Sequence, residues 1–165
     1  MHKRLMLFVP VAALCAVVGG TTVAGATPGS GVVSGRILAQ GDFQDGLDAK
    51  FKVSGHHGTQ VSKIDGAGRA VVQEIVLGPG GHTGWHSHPG PVVVVVQQGV
   101  LTLYDGADCS SGKTYDSGEA FVDPGQGHLH IARNEGSSDV VLLVTYLAPP
   151  GTGVPRIDRD APGDC

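Results

Sequence analysis

Residues 92–96 are five consecutive valines, bounded on one side by Pro89, Gly90 and Pro91 and on the other by a segment that reaches Gly99. Valine branches at Cβ, which restricts its side chain in a helix and suits it to a pleated strand. So short a run, wholly β-branched and stopped by proline and glycine, reads as a strand and not as a buried helix. Because the valines do not alternate with polar residues, both faces of that strand are expected to be covered, as in a sandwich or barrel. The rest of the chain agrees: 27 glycines and 10 prolines punctuate 165 residues, and long stretches of good helix formers are missing. The expectation is one all-β domain of short strands joined by tight turns.

Further strands are expected over residues 32–43, 49–55, 70–77, 100–104, 119–123, 128–134 and 139–147, with Gly99 at a turn or bulge. Residues 55–68 are polar and rich in turn formers, and the proline-rich tail is expected to run over the surface without regular structure.

Residues 1–26 carry a basic head (Lys3, Arg4), an apolar middle and the small-x-small triplet Ala24-Gly25-Ala26, the pattern of a signal peptide cleaved after Ala26. The apolar middle, interrupted by Pro10 and Gly19-Gly20, is short for a span that takes roughly 20 residues, so no membrane association is expected after cleavage. Removal of Lys3 and Arg4 reduces the 11 basic residues to 9 against 15 acidic ones, a net charge of −6. Nucleic acid and anionic membrane surfaces are therefore excluded as expected partners, and a secreted or envelope location is expected. The mature chain keeps Cys109 and Cys165, an even pair in an exported protein, and these are expected to bridge.

His86 and His88 stand two residues apart at the entry to the valine run. In a strand, residues i and i+2 share a face, so the two imidazoles form half of a metal site. Two ligands hold a transition ion poorly, and the partner is sought in the second His-x-His pair, His128 and His130.

Both pairs sit in patterns that resemble the cupin superfamily over residues 68–148. The first motif of that family, G-x5-H-x-H-x3/4-E-x6-G, is matched by Gly80, His86, His88, Val92 and Gly99, with valine where the glutamate would stand. The second, G-x5-P-x-G-x2-H-x3-N, is matched by Gly118, Pro124, Gly127, His130 and Asn134, with one extra residue between the proline and its glycine. The resemblance implies a single jelly-roll barrel (a double-stranded β-helix) over residues 68–148, with residues 27–67 packed on it as N-terminal strands and 149–165 as an irregular tail. It also implies a divalent iron, manganese, zinc, nickel or copper ion held by His86, His88 and His130. Asn134 would be a structural element of the second motif. His128 is either a fourth ligand or a surface or supporting residue.

Valine at position 92 supplies neither a ligand nor a negative charge, which leaves the site more open. Some relatives resemble this state in using three histidines with open positions for substrate and oxygen, as the thiol dioxygenases do; others have lost the metal. Three readings follow. One is an exported metal-dependent enzyme, dioxygenase-like, acting on a small molecule in a pocket lined by Val92, Val94 and Val96. Another is a module that binds a small ligand or metal without turnover. The third is a structural role through oligomerisation by sheet faces, which the resemblance allows, a homodimer being one such assembly. Among the acidic residues, Glu74, Glu119 and Asp123 are the nearest candidates for a general base, each also readable as strand or turn decoration. His82 is read as a loop residue near the rim, and His56 and His57 as exposed.

Overall fold

The computed structural model describes residues 28–55, 58–148, 155–163 and 165. The segment read as a signal peptide and the pair His56 and His57 lie outside the described residues. Ten strands account for the described secondary structure: β1 (Ser30–Gly55), β2 (Gly58–His82), β3 (His86–Ser87), β4 (Val92–Gln98), β5 (Val100–Asp105), β6 (Asp108–Asp116), β7 (Ala120–Asp123), β8 (His130–Arg133), β9 (Val140–Ala148) and β10 (Ile157–Asp158). All pairings between them are antiparallel.

The strand order gives a double-sheet barrel. One half runs β1-β2-β9-β4-β7 and the other β10-β3-β8-β5-β6, joined where His82 of β2 pairs with Arg133 of β8. Most neighbours are distant in sequence, such as β4 beside β9 and β3 beside β8, which is the crossover pattern of a jelly roll. Apolar side chains of both halves meet between them: Leu77 of β2, Val92, Val94 and Val96 of β4, Leu101 of β5, and Leu142 and Val144 of β9 belong to one core cluster. In β9 the alternation is complete, with Val140, Leu142, Val144, Tyr146 and Ala148 turned inward.

The valine run is covered on one face only. Val92, Val94 and Val96 are buried, Val93 is half-buried and Val95 is 36% exposed. The expectation of two covered faces is thus corrected: β-branched residues suit the pleat whether or not the outer face is buried, so an unbroken valine run does not by itself report burial. Gly99 makes the turn into β5 with φ of 81°, and a Cβ there would stand 2.8 Å from the Asp139 carbonyl oxygen. Only glycine meets both conditions at low cost.

Two other expectations change. The strands anticipated at 32–43 and 49–55 merge into β1, and the polar stretch anticipated as turns after residue 58 is strand in β2; the two form a long hairpin with several register shifts. Such bulges let a glycine-rich, polar segment stay paired. The tail, expected to be irregular, supplies β10, which pairs Ile157 with Ser87 and Asp158 with His86. Its last residue, Cys165, is bridged to Cys109 of β6.

That bridge joins residues 56 positions apart. On the chain-entropy description, reducing it is expected to lower the unfolding free energy by roughly 4 kcal/mol. Urea unfolding of the mature protein and of Cys165→Ser tests this; coincident midpoints would show that the bridge contributes nothing to stability.

Candidate metal centre

β3 is only two residues long, yet it sits between β8 and β10, with His86 opposite His130 on one side and opposite Asp158 on the other. That placement stacks the first histidine pair against the second motif. The ring centroids of His86 and His130 are 4.3 Å apart, those of His86 and His88 4.8 Å, and those of His88 and His130 5.2 Å. All three rings are buried, and one ring nitrogen from each lies within 4.8 Å of those of the other two.

The hydrogen bonds of the rings set which nitrogen is free. Nδ1 of His86 donates to the Gly84 carbonyl at 2.8 Å, and Nδ1 of His88 donates to the Pro155 carbonyl. Nδ1 of His130 faces Oδ2 of Asp123 at 3.2 Å and the His128 carbonyl at 3.3 Å. Protonation at Nδ1 satisfies these acceptors and leaves the lone pair of each neutral ring on Nε2. Burial, the largest influence on all three, holds the pKa of His86 and His130 well below 6.5 and lowers that of His88, where the bond to Pro155 opposes it. Three neutral imidazoles with oriented acceptors fit a transition metal ion.

The surrounding turns follow the motif. Gly80, Gly99, Gly118 and Gly127 all have positive φ, and the extra residue between Pro124 and Gly127 is absorbed by three successive left-handed residues, Gly125, Gln126 and Gly127. Gln126 holds φ of 55° without being glycine, and its side chain donates to the Lys63 carbonyl at 2.9 Å. Asn134 is fully buried and closes the far end of β8, donating from Nδ2 to the Leu77 and Ser138 carbonyls and accepting from the Gly136 N–H.

No family model matches the chain. Among curated proteins, 103 residues are 31% identical to the auxin-binding protein ABP19b of Prunus persica, covering 61% of this chain and 48% of that protein. The chain thus spans about half the length of the curated relative it matches. Among solved structures, a cupin domain from Bordetella pertussis is 27% identical over 59% of this chain and 90% of its own, with a TM-score of 0.42. A cupin-like protein from Thermotoga maritima is 20% identical over 56% and 65%, with a TM-score of 0.47. A polyketide cyclase from Streptomyces resistomycificus is 24% identical over 46% and 52%, with a TM-score of 0.42. The two spaced motifs, their left-handed glycines and the histidine group they assemble are similar to those of the cupin superfamily, and the fold is the jelly roll expected from them.

The barrel lumen beside the histidines is a cavity of about 40 Å³, lined among others by Val92, Val94, Leu101, Asp123 and Tyr146. Val96 is buried in the core but does not reach that cavity. Two larger grooves flank the centre. One, of about 460 Å³, touches His128 and His130; the other, of about 490 Å³, touches His86, Tyr146 and Arg156.

His128 stands apart from the three-histidine group. Its Nδ1 meets Oδ2 of Asp123 at 2.6 Å and its Nε2 meets Oδ2 of Asp105 at 2.8 Å, so both nitrogens face carboxylates. It also forms, with Asp123 and His130, a second group whose ligand atoms could hold an ion. Burial opposes a charge on His128, but the hydrogen bonds and fields of the two carboxylates outweigh it and raise its pKa to about 9. Burial likewise opposes the charge of Asp123, and the bond from His128 with the nearby imidazoles outweighs it, lowering the carboxyl pKa. Of the three acids named as candidate general bases or as strand and turn decoration, Asp123 is the one buried beside the histidines; Glu74 pairs with the exposed Arg36, and Glu119 accepts from the Asp116 N–H. His82 is half-buried at the end of β2, where Nδ1 accepts from the Gly84 N–H, and is not a free loop residue.

Nothing in the sequence pattern pointed to the tail as part of this site. Besides the Pro155 carbonyl on His88, the Arg156 guanidinium donates to the Thr83 carbonyl, the Arg159 N–H donates to the Trp85 carbonyl at 2.9 Å, and Arg159 Nε donates to Ser87 Oγ at 3.0 Å. Every residue of the 83–88 turn and strand that carries a ligand or its neighbour is thus held partly from the tail.

These shifts give the metal-free protein a defined pH response. His86 and His130 titrate near 6.5 when unfolded and well below it when folded, so the unfolded chain gains protons first and stability falls as the pH drops below 6.5. His128 has the opposite sign: its contribution is fully present below 6.5 and is lost as the pH rises through about 9. Melting temperature is expected to peak around pH 6.5 to 7 and to decline on both sides, with His128→Asn removing the alkaline decline. A wild-type melting temperature that stays flat between about pH 5 and pH 7 would contradict the buried, neutral state of the histidines.

Proposed function

We propose that this is an exported cupin that holds one divalent transition metal ion through His86, His88 and His130 and acts on a small molecule, with oxygen-dependent chemistry as its reaction class. The convergence of three buried imidazoles, each with Nδ1 tied to an oxygen acceptor, carries this reading. Iron, manganese, zinc, nickel or copper suits imidazole donors, and such an ion supplies Lewis acidity and, where redox-active, dioxygen activation. His86, His88 and His130 would hold it. Val92 places no fourth protein donor beside them, so positions facing the lumen stay open for small ligands. Val94, Leu101 and Tyr146 keep that lumen apolar and exclude bulk water. The flanking grooves are the places for the body of a substrate, because a cavity of about 40 Å³ holds little more than a water molecule. Export is supported by the signal-like residues 1–26 and by the Cys109–Cys165 bridge, which suits an oxidising compartment.

The small lumen also favours a second reading, a module that binds metal or a small ligand without turnover. Dioxygen uptake by iron-loaded protein presented with small thiols and phenols separates the two: uptake supports the enzyme, and full metal occupancy with no uptake supports the module.

Elemental analysis of the mature protein is the direct test. About one transition ion per chain is expected, lost in His86→Ala and in His130→Ala but kept in His56→Ala. Retention should weaken below about pH 6, where free imidazole protonates. Wild-type protein that stays metal-free after loading would overturn the proposal, and equal loss in the His56 variant would overturn the ligand assignment.

A further inference from the structure

Three histidines are neutral donors, so a divalent ion among them would place two positive charges in a lumen whose lining is mostly apolar. In the first motif the compensating acid is absent, since position 92 is valine. The strand register shows where an acid stands instead. Val92 of β4 is paired with Asp123 of β7, and cross-strand partners in an antiparallel ladder point to the same face. Both side chains line the same cavity.

The Asp123 carboxylate is oriented on both oxygens. Oδ1 accepts from the Gly125 N–H at 2.8 Å, while Oδ2 is 2.6 Å from His128 Nδ1 and 3.2 Å from His130 Nδ1. Oδ2 therefore lies behind a ring of the three-histidine group. On the far side of His128 stands Asp105, whose Oδ2 is 2.8 Å from Nε2. Asp123 and Asp105 thus flank His128, and of the two carboxylates it is Asp123 that also reaches a ring of the three-histidine group.

We propose that Asp123 is the positioning residue that replaces the missing motif acid, delivering one negative charge to the metal centre from β7 through His130 rather than from β4 as a ligand. The proposal rests on the three-histidine reading above. A carboxylate on Nδ1 makes the imidazole a stronger donor at Nε2, and such partners typically account for 10- to 100-fold in metal affinity. Aspartate on β7 also explains how valine is accommodated at position 92: the lumen keeps its charge balance while the direction facing β4 becomes apolar.

Zinc ion alone, competed against a chromophoric chelator, is the probe. In Asp123→Asn the single remaining oxygen can still accept from the His130 ring while the charge is lost, at the cost of the bond from the Gly125 N–H, which the amide nitrogen cannot accept. Affinity is expected to fall about 10- to 100-fold, and Val92→Glu in that background should recover most of the loss by restoring an acid one strand away. Emission of Trp85, the single tryptophan, verifies folding of each variant; if Val92→Glu does not fold, Val92→Asp takes its place. Unchanged zinc affinity in Asp123→Asn, or loss that neither acid at position 92 reverses, overturns the proposal. Wild-type protein that fails to bind zinc would instead remove the three-histidine reading, so the two failures are distinguishable.

Discussion

A buried imidazole must put its N–H on an acceptor, and three of them side by side need three acceptors arriving from different directions. That requirement organises this protein. The acceptors are the Gly84 carbonyl within the turn before β3, the Asp123 carboxylate at the end of β7, and the Pro155 carbonyl of the tail. No local segment supplies more than one of them. The barrel is what brings a turn, a strand end and a C-terminal segment to the same few ångströms, and without that convergence the rings would have unpaired protons in an apolar lumen at a cost of about 1–3 kcal/mol each.

The two-residue strand β3 shows how this works. So short a strand has little stability of its own. It holds because β8 and β10 pair with it from both sides, and because Arg156 and Arg159 bind the backbone and side chains of its turn. The Cys109–Cys165 bridge ties the end of the same tail to β6. The disulfide thereby anchors the tail that carries Pro155, the acceptor of the His88 ring, so a covalent tie to β6 bears on a histidine that never touches sulfur.

Much of this was legible in the sequence, and the reason is locality. His-x-His on a strand has only one face to use, and the four motif glycines need left-handed backbone at fixed spacings, so a short stretch suffices to see them. The valine run gave its strand correctly but misled on burial, because β-branching reports the pleat and not the environment. What stayed hidden depends on register. Asp123 was visible as a candidate acid at the end of an expected strand, but its partnership with His128 and His130 follows only from β7 ending beside β8, and Asp105 joins His128 from β5. The tail carried no periodicity at all, since its role is played by backbone carbonyls and amides, which have no sequence signature.

The low polarity that keeps His86 and His130 neutral also governs which substitutions the barrel can accept. In water, exchanging glutamate for valine at one ligand position would be a change of one screened charge. In a lumen lined by Val94, Leu101 and Leu142, charges a few ångströms apart interact strongly, and an uncompensated one is disfavoured. With valine at position 92, the acid that faces the same cavity is Asp123, on the neighbouring strand β7. His128 stands between Asp123 and Asp105 with a ring nitrogen on a carboxylate oxygen of each, and the two carboxylates favour its charged form against the cost of burial. The clamp is built from strand ends, Asp105 closing β5 and Asp123 closing β7, where the ladder no longer needs every polar group for itself and carboxylates can turn toward the buried imidazoles.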